Sequence, residues 1–396
     1  VLADFGPLAA QVEAIDVSNL AGAVDPLQSE VVVLLSGGPR GHRPRLPQPP
    51  TARAPPERGG SLGGGAGGMG GGPEAWAPGL RRVRTAKGET AYWCARAAGG
   101  GGGRPACVLV HGLGWWSFIW RRLADALLAS GEVSAVVAFD RYGRGGSDPA
   151  REDGGALSRH TPDLFVGQLL ELVEHLAAAP ESEGGCRALR PETSGCPARF
   201  ILAGTSMGGL IATAFAAAHP ERVARLVLMA PVGLRHPPEY FSLPARLIRV
   251  PVVGWGLFSI VGRAVQLASI RDDRFKVDFG KDVEAEDPEM FKTVTDATTW
   301  QVAEKEGYLQ DFFQDVTELD MGGLRAEADR IGAQHSYPVA ILWGTDDGRV
   351  PFKYAEAWTA RIPRAKLFVV EGGSHADYLL KERLGEVVKA VLPAAD

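Results

Sequence analysis

The chain has 396 residues, with 42 lysines and arginines against 47 acids, a net charge of −5, and 45% hydrophobic and 22% charged residues. That balance suits a globular chain and leaves no basic surplus for a nucleic-acid partner. No apolar run nears the roughly 20 residues of a membrane-spanning helix, and the four cysteines are too few for a disulfide scaffold. Neither a CxxC pair nor an HExxH helix is present, so neither metal nor cofactor is expected.

Residues 1–35 are moderately apolar and carry acids but no Lys or Arg, residues 38–58 are Pro/Arg-rich, and residues 59–72 hold 10 of the 51 glycines. Gly and Pro at that density keep chain entropy high and offer little to bury, so residues 1–78 are expected to be a disordered extension. Within it, Glu30–Leu35 (EVVVLL) is a candidate lone strand. The chain begins with Val rather than Met and is expected to be incomplete or processed. No charged stretch leading into an apolar one marks a leader, and the compartment is left unassigned.

A folded domain is expected from Leu80. Leu80–Thr85 and Thr90–Arg96 flank Ala86-Lys87-Gly88-Glu89 as a hairpin would. After the glycine loop 99–103 comes a short apolar strand, Cys107–Val110, ending in His111-Gly112. Trp120–Ser130 has helical periodicity and stops at Gly131; Val133–Phe139 is a buried strand ending at Asp140; Pro162–Ala178 is a helix. Phe200–Leu202 is a strand, Met207–Ala218 a helix and Arg225–Met229 a strand, and much later come strands Val339–Trp343 and Lys366–Val370 with a closing helix at Gly385–Leu392. Short apolar strands alternating with helices predict an α/β fold, a mostly parallel sheet flanked by helices on both faces.

Two stretches break the alternation. Residues 180–198 form a polar insertion ahead of a strand, which puts it on the amino-terminal edge of the sheet, away from the carboxyl edge where ligands of such sheets bind. Its Cys186 and Cys196 are read as free thiols rather than a bridge. Residues 234–337 carry about a hundred residues of helical pattern between two core strands and read as an inserted subdomain.

Chemistry concentrates in Gly204-Thr205-Ser206-Met207-Gly208, a GxSxG between a strand and a helix. That setting holds a serine on a sharp, strained turn with its hydroxyl exposed and the next amide at a helix N-terminus. A second donor for an oxyanion would come from Leu113 in His111-Gly112-Leu113-Gly114. His111 itself ends a buried strand and is read as a structural partner. A serine needs a base oriented by an acid. Two late strand ends supply them, one with Asp346 and Asp347 and one with His375. Either aspartate suffices on chemistry alone.

The set HGLG (111–114), DRYGRGGSD (140–148), GTSMGG (204–209), WGTDD (343–347) and GSH (373–375) resembles the α/β-hydrolase fold, specifically its capped serine hydrolases, over residues 80–396. The resemblance implies Ser206 as nucleophile, His375 as base and Asp347, four residues after Trp343, as acid. It implies oxyanion amides at Leu113 and Met207, a catalytic core of 79–233 and 338–396, and a helical cap over 234–337. GTSMGG looks most like monoacylglycerol-lipase-type esterases, which implies a lipid or small-molecule ester as substrate. HGLG followed by Trp120 is also similar to relatives that hydrolyse carbon–carbon bonds of vinylogous diketones, which carry Asn where this chain has Thr205. A non-catalytic small-molecule sensor on the same fold is the reading from another class. The apolar run Phe241–Val265 would pack the cap, line an acyl pocket or make transient contact with a lipid surface. Arg141, Arg144 and Asp148 are read as pinning a structural loop in preference to binding a charged substrate.

Overall fold

The structure, a computed structural model, describes residues 72–97, 103–191, 197–234, 253–271, 283–334, 337–376 and 379–392. The Glu30–Leu35 strand, the extension through residue 71, most of the 99–103 loop, Cys196 and the 241–252 part of the apolar run lie outside the described residues.

The chain opens as a hairpin, β1 (Arg81–Thr85) and β2 (Gly88–Arg96), with Thr85 paired to Gly88 across a two-residue turn. The strands β3 (Ala106–Val110), β4 (Ala135–Phe139), β5 (Phe200–Thr205), β6 (Val223–Met229), β7 (Val339–Gly344) and β8 (Lys366–Val370) complete one sheet in the order β1-β2-β4-β3-β5-β6-β7-β8. Only the β1–β2 and β2–β4 pairings are antiparallel. The order reverses at β3, so β4 and β5 diverge on its two sides and leave a crevice at the carboxyl edge.

Helices follow in chain order: α1 (Arg121–Ser130), α2 (Pro162–Ala178), α3 (Met207–Ala218), α4 (Val253–Arg271) and the single turn α5 (Val283–Glu286). Then come α6 (Pro288–Glu304), α7 (Tyr308–Thr317), α8 (Arg325–Gln334), α9 (Ala355–Arg361) and α10 (Leu384–Val391). Their ends obey local rules. Thr161 caps α2 by accepting the Leu164 N–H, with Pro162 at the first helical position, and Gly131 ends α1 at φ +76°.

Period-2 alternation divides the buried strand residues between two cores. Val108, Val110, Leu202, Leu226 and Ile341 face the side covered by α2, α3, α8 and α9. Cys107, Leu109, Ile201, Val227 and Leu342 face the side covered by α1 and α10. Each such aliphatic side chain, removed from water on folding, stabilises by about 1.5–3 kcal/mol.

Two boundaries differ from the sequence reading. The core begins before residue 79: Pro73–Ala75 form a 3-10 turn, Ala77 is fully buried, and Trp76 packs on Trp116 and Trp300 at 6.2 and 5.6 Å. A glycine tract immediately upstream hid this anchor, since one Trp in Gly-rich text has no period to reveal it. The excursion from the core also ends before residue 337. Leu234 and Gly323 pair as an antiparallel bridge at its base, Leu324 is buried just ahead of α8, and α8 packs against α3 and α9 with Ala328 and Ile331 buried in the core. Helical periodicity shows that α8 has an apolar face but not which partner receives it.

The helices between β6 and α8 also pack on one another. Phe258 on α4 stacks on Phe312 at 6.1 Å, and Trp255 meets Phe313 edge-on at 5.2 Å. Apolar residues of α4 are therefore spent on packing against α6 and α7, while Ile260, 68% exposed, is left in solvent. Among the described residues no helix is long and apolar enough to cross a membrane. The insertion after α2 is less solvated than its composition suggests, because Cys186 and Leu189 sink into the core and Cys186 lies within hydrogen-bonding reach of Cys94.

Candidate active site

β5 delivers Ser206 to the carboxyl edge of the sheet in a conformation few side chains adopt, φ 53° and ψ −119°. Such backbone costs about 1–3 kcal/mol and persists only where the surroundings dictate it. They do so here. The Ser206 N–H bonds Met229 O at 2.9 Å, and its carbonyl accepts the Val232 N–H at 3.1 Å. A Cβ on Gly204 would lie 2.2 Å from Gly208 O, and one on Gly208 would lie 2.1 Å from Val110 O. Both flanking glycines are thus required by close backbone approach.

Met207 opens α3, so its amide has no intrahelical acceptor. Leu113 follows β3, the strand next to β5, and a Cβ on Gly112 would lie 3.2 Å from Ser206 Cβ. The Leu113 loop therefore lies against the serine. Among the described residues neither the Leu113 nor the Met207 N–H is given to a protein acceptor. Two uncommitted donors beside a serine hydroxyl are what an oxyanion requires.

His111 is buried with both nitrogens engaged: Nε2 accepts the Arg141 N–H at 2.9 Å, which leaves the proton on Nδ1 to donate to Gly112 O at 2.9 Å. Burial, then the nearby Arg141 charge, push its pKa well below the usual imidazole value. His111 is a neutral structural strut.

Asp347 and His375 meet after β7 and β8. His375 Nδ1 bonds Asp347 Oδ2 at 2.8 Å, while Asp347 Oδ1 accepts the Arg349 and Val350 N–H groups at 2.8 Å each. Asp347 is 5% exposed, whereas Asp346 is exposed and, among the described residues, its carboxylate receives only the Thr345 hydroxyl at 3.2 Å. The two acids left open by residue type are thus separated by position. Ser206 is tied to this pair through the sheet, by its bond to β6 and by the Ala230 N–H to Leu342 O bond from the end of β6 to β7.

The DRYGRGGSD loop divides in two. Asp140 and Asp148 pin it: Asp140 accepts the Ser117 and Gly146 N–H groups at 2.9 and 2.8 Å, and Asp148 accepts the Glu89 N–H at 3.1 Å. Arg141 and Arg144, both fully buried, instead reach Asp315 on α7, at 3.4 and 2.5 Å. His160 adds a bond to Asp315 at 2.8 Å. Burial alone would raise the Asp315 carboxyl; the Arg141 and Arg144 charges outweigh it and hold it well below the usual carboxylate range. Burial lowers the Arg141 guanidinium to about 10, which leaves it charged at neutral pH.

Sequence reasoning did not single out Asp315, His160 or Gln301. Gln301 on α6 accepts the Gly145 N–H at 2.9 Å and donates to Gly114 O at 2.7 Å. The available signal was Asp311 and Asp315, four apart and therefore on one face of an aromatic-rich helix, an arrangement that favours a buried countercharge.

Residues 105–382 match the family model described as the alpha/beta hydrolase fold. The chain is similar to a pimeloyl-acyl-carrier-protein methyl ester esterase of Vibrio atlanticus, 24% identical over 298 residues, 74% of this chain and 93% of the esterase. It is also similar to a monoacylglycerol lipase of Xenopus laevis, 22% identical over 300 residues, 74% of this chain and 76% of the lipase. Among solved structures, an enol-lactonase from Burkholderia xenovorans aligns with a TM-score of 0.56 at 21% identity, over 78% of this chain and 98% of its own.

Proposed function

The chain belongs to the α/β hydrolase family, and on that premise we propose that it is a serine hydrolase cleaving a carboxylic ester of lipid or small-molecule type through an acyl-enzyme on Ser206. The observation that carries the proposal is the strained Ser206 between two uncommitted amides, on the same sheet edge as a hydrogen-bonded Asp347–His375 pair.

In this mechanism His375 Nε2 takes the Ser206 proton as Oγ attacks the ester carbonyl. The tetrahedral oxyanion is held by the Leu113 and Met207 amides. His375 then returns the proton to the departing alcohol, leaving the acyl group on Ser206. Water, deprotonated by His375, attacks the acyl carbonyl, and collapse releases the acid and restores Ser206. Asp347 keeps the His375 proton on Nδ1 and stabilises the imidazolium. No step calls for a metal or cofactor, and among the described residues no cluster of metal-ligating side chains occurs.

An ester is favoured over an enol-diketone by Thr205 before the serine, where the carbon–carbon hydrolases carry Asn. The test is a panel of p-nitrophenyl esters of increasing acyl length, monoacylglycerols and a vinylogous diketone, assayed with wild type and Ser206→Ala. Ester turnover abolished by Ser206→Ala is expected. Turnover of the diketone alone would replace ester cleavage with carbon–carbon hydrolysis.

A further inference from the structure

We propose that Arg141 is a positioning residue that holds the Gly112–Leu113 peptide in the orientation presenting the Leu113 N–H to the oxyanion, and that the cap sets it through Asp315. The inference rests on the proposed function, because it concerns the oxyanion donor of that site.

Gly112 C=O and Leu113 N–H belong to one peptide group, planar and trans, so they point in opposite directions. Whatever fixes the carbonyl fixes the amide. Gly112 O accepts Arg141 Nη2 at 3.1 Å and His111 Nδ1 at 2.9 Å, and both donors are fully buried. The loop cannot hold this plane by itself. Leu113 sits between Gly112 and Gly114, the latter at φ +86°, and glycine gives a peptide freedom to rotate. A charged donor on the carbonyl also polarises the peptide and strengthens its N–H as a donor.

Arg141 takes its own orientation from the cap. Its guanidinium contacts Asp315 on α7 at 3.4 Å and lies over the Phe165 ring at 5.1 Å. Asp315 is in turn fixed by Arg144 and His160. The carbonyl on the other side of Leu113, Gly114 O, is held by Gln301 of α6 at 2.7 Å. Both carbonyls bracketing the Leu113 amide are therefore tied, directly or through Arg141, to cap helices. A seated cap completes the oxyanion site, and a displaced cap leaves the loop held by His111 alone.

The test uses the full chain with p-nitrophenyl butyrate as substrate and a trifluoromethyl ketone, whose adduct with Ser206 places an oxyanion between the two amides. Arg141→Met should lower kcat about 30–300-fold, at or below the roughly 10²–10³ of losing one oxyanion donor outright, with KM changed less than about threefold. Affinity for the trifluoromethyl ketone should fall in parallel with kcat/KM. Arg141→Lys should recover part of both, since an ammonium can serve one of the two partners. Asp315→Asn, which keeps Arg141 but removes the anion orienting it, should lower both about tenfold. It carries the test if Arg141→Met does not fold. The inference is overturned if Arg141→Lys and Asp315→Asn lose thermal stability while kcat and ketone affinity stay within about threefold of wild type. A fluorophosphonate end point separates this failure from a wrong function. Variants that label Ser206 fully, only more slowly, retain an activated serine, whereas wild type that never labels removes the function and the inference together.

Discussion

Replacing Asp347 by Asn changes one atom of the carboxylate, and the structure fixes which one. Oδ1 accepts two backbone N–H groups at 2.8 Å each, and Oδ2 faces His375 Nδ1 at 2.8 Å. An Asn that keeps its carbonyl toward Arg349 and Val350 must turn its NH₂ toward His375. The reverse flip would strand two buried amides at about 1–3 kcal/mol each. The asparagine is therefore trapped with a donor facing the imidazole. His375 must answer by moving its proton to Nε2, the nitrogen that should accept from Ser206. A wrong tautomer of this kind costs about 10⁴ in kcat, on the order of 5 kcal/mol. The side chain is isosteric and its backbone bonds survive, so urea unfolding should be nearly unchanged. The assay is kcat on a p-nitrophenyl ester for Asp347→Asn beside Asp346→Asn. Loss confined to Asp347→Asn supports the arrangement; an Asp347→Asn enzyme within tenfold of wild type, or a crippled Asp346→Asn, refutes it.

Gly208→Ala places a Cβ 2.1 Å from Val110 O, backbone that cannot yield, and should destabilise by about 3 kcal/mol or more in denaturant melts. Trp116→Ala removes a fully buried ring that contacts Trp76 and Trp300 and should cost about 3–5 kcal/mol, read as a lower urea midpoint. Burial lowers the His160 pKa, but hydrogen bonds and charges from Asp311 and Asp315 outweigh it, so the net shift is upward. The resulting stabilisation is complete below the unfolded value of about 6.5 and is lost as pH rises through the raised folded value. Urea midpoints of wild type and His160→Asn should therefore converge above that window; a difference independent of pH would refute the pairing.

Local signals carried far in this chain. The strand–GxSxG–helix text dictated the elbow because its demands are short-range: two glycines for clearance and a serine at the turn. Strand ends carrying Asp347 and His375 were legible because a parallel sheet sends every such end to one edge. Trp76 was not legible, since its value comes from Trp116 and Trp300, far along the chain. Neither was the partner of Arg141, which lies 174 residues away on α7. In the sequence these arginines resemble the charges of a solvated turn. Their burial is decided by where α7 lands, which only tertiary packing fixes. For the same reason α8 read as cap although its apolar face belongs to the core.

The central claim is an activated serine at the β5–α3 turn. Wild type and Ser206→Ala should be treated with a fluorophosphonate probe and the adduct located by mass spectrometry. A single adduct on Ser206, absent from a folded Ser206→Ala variant, is the predicted result. Folded wild type that stays unlabelled, or that labels elsewhere, would contradict the account.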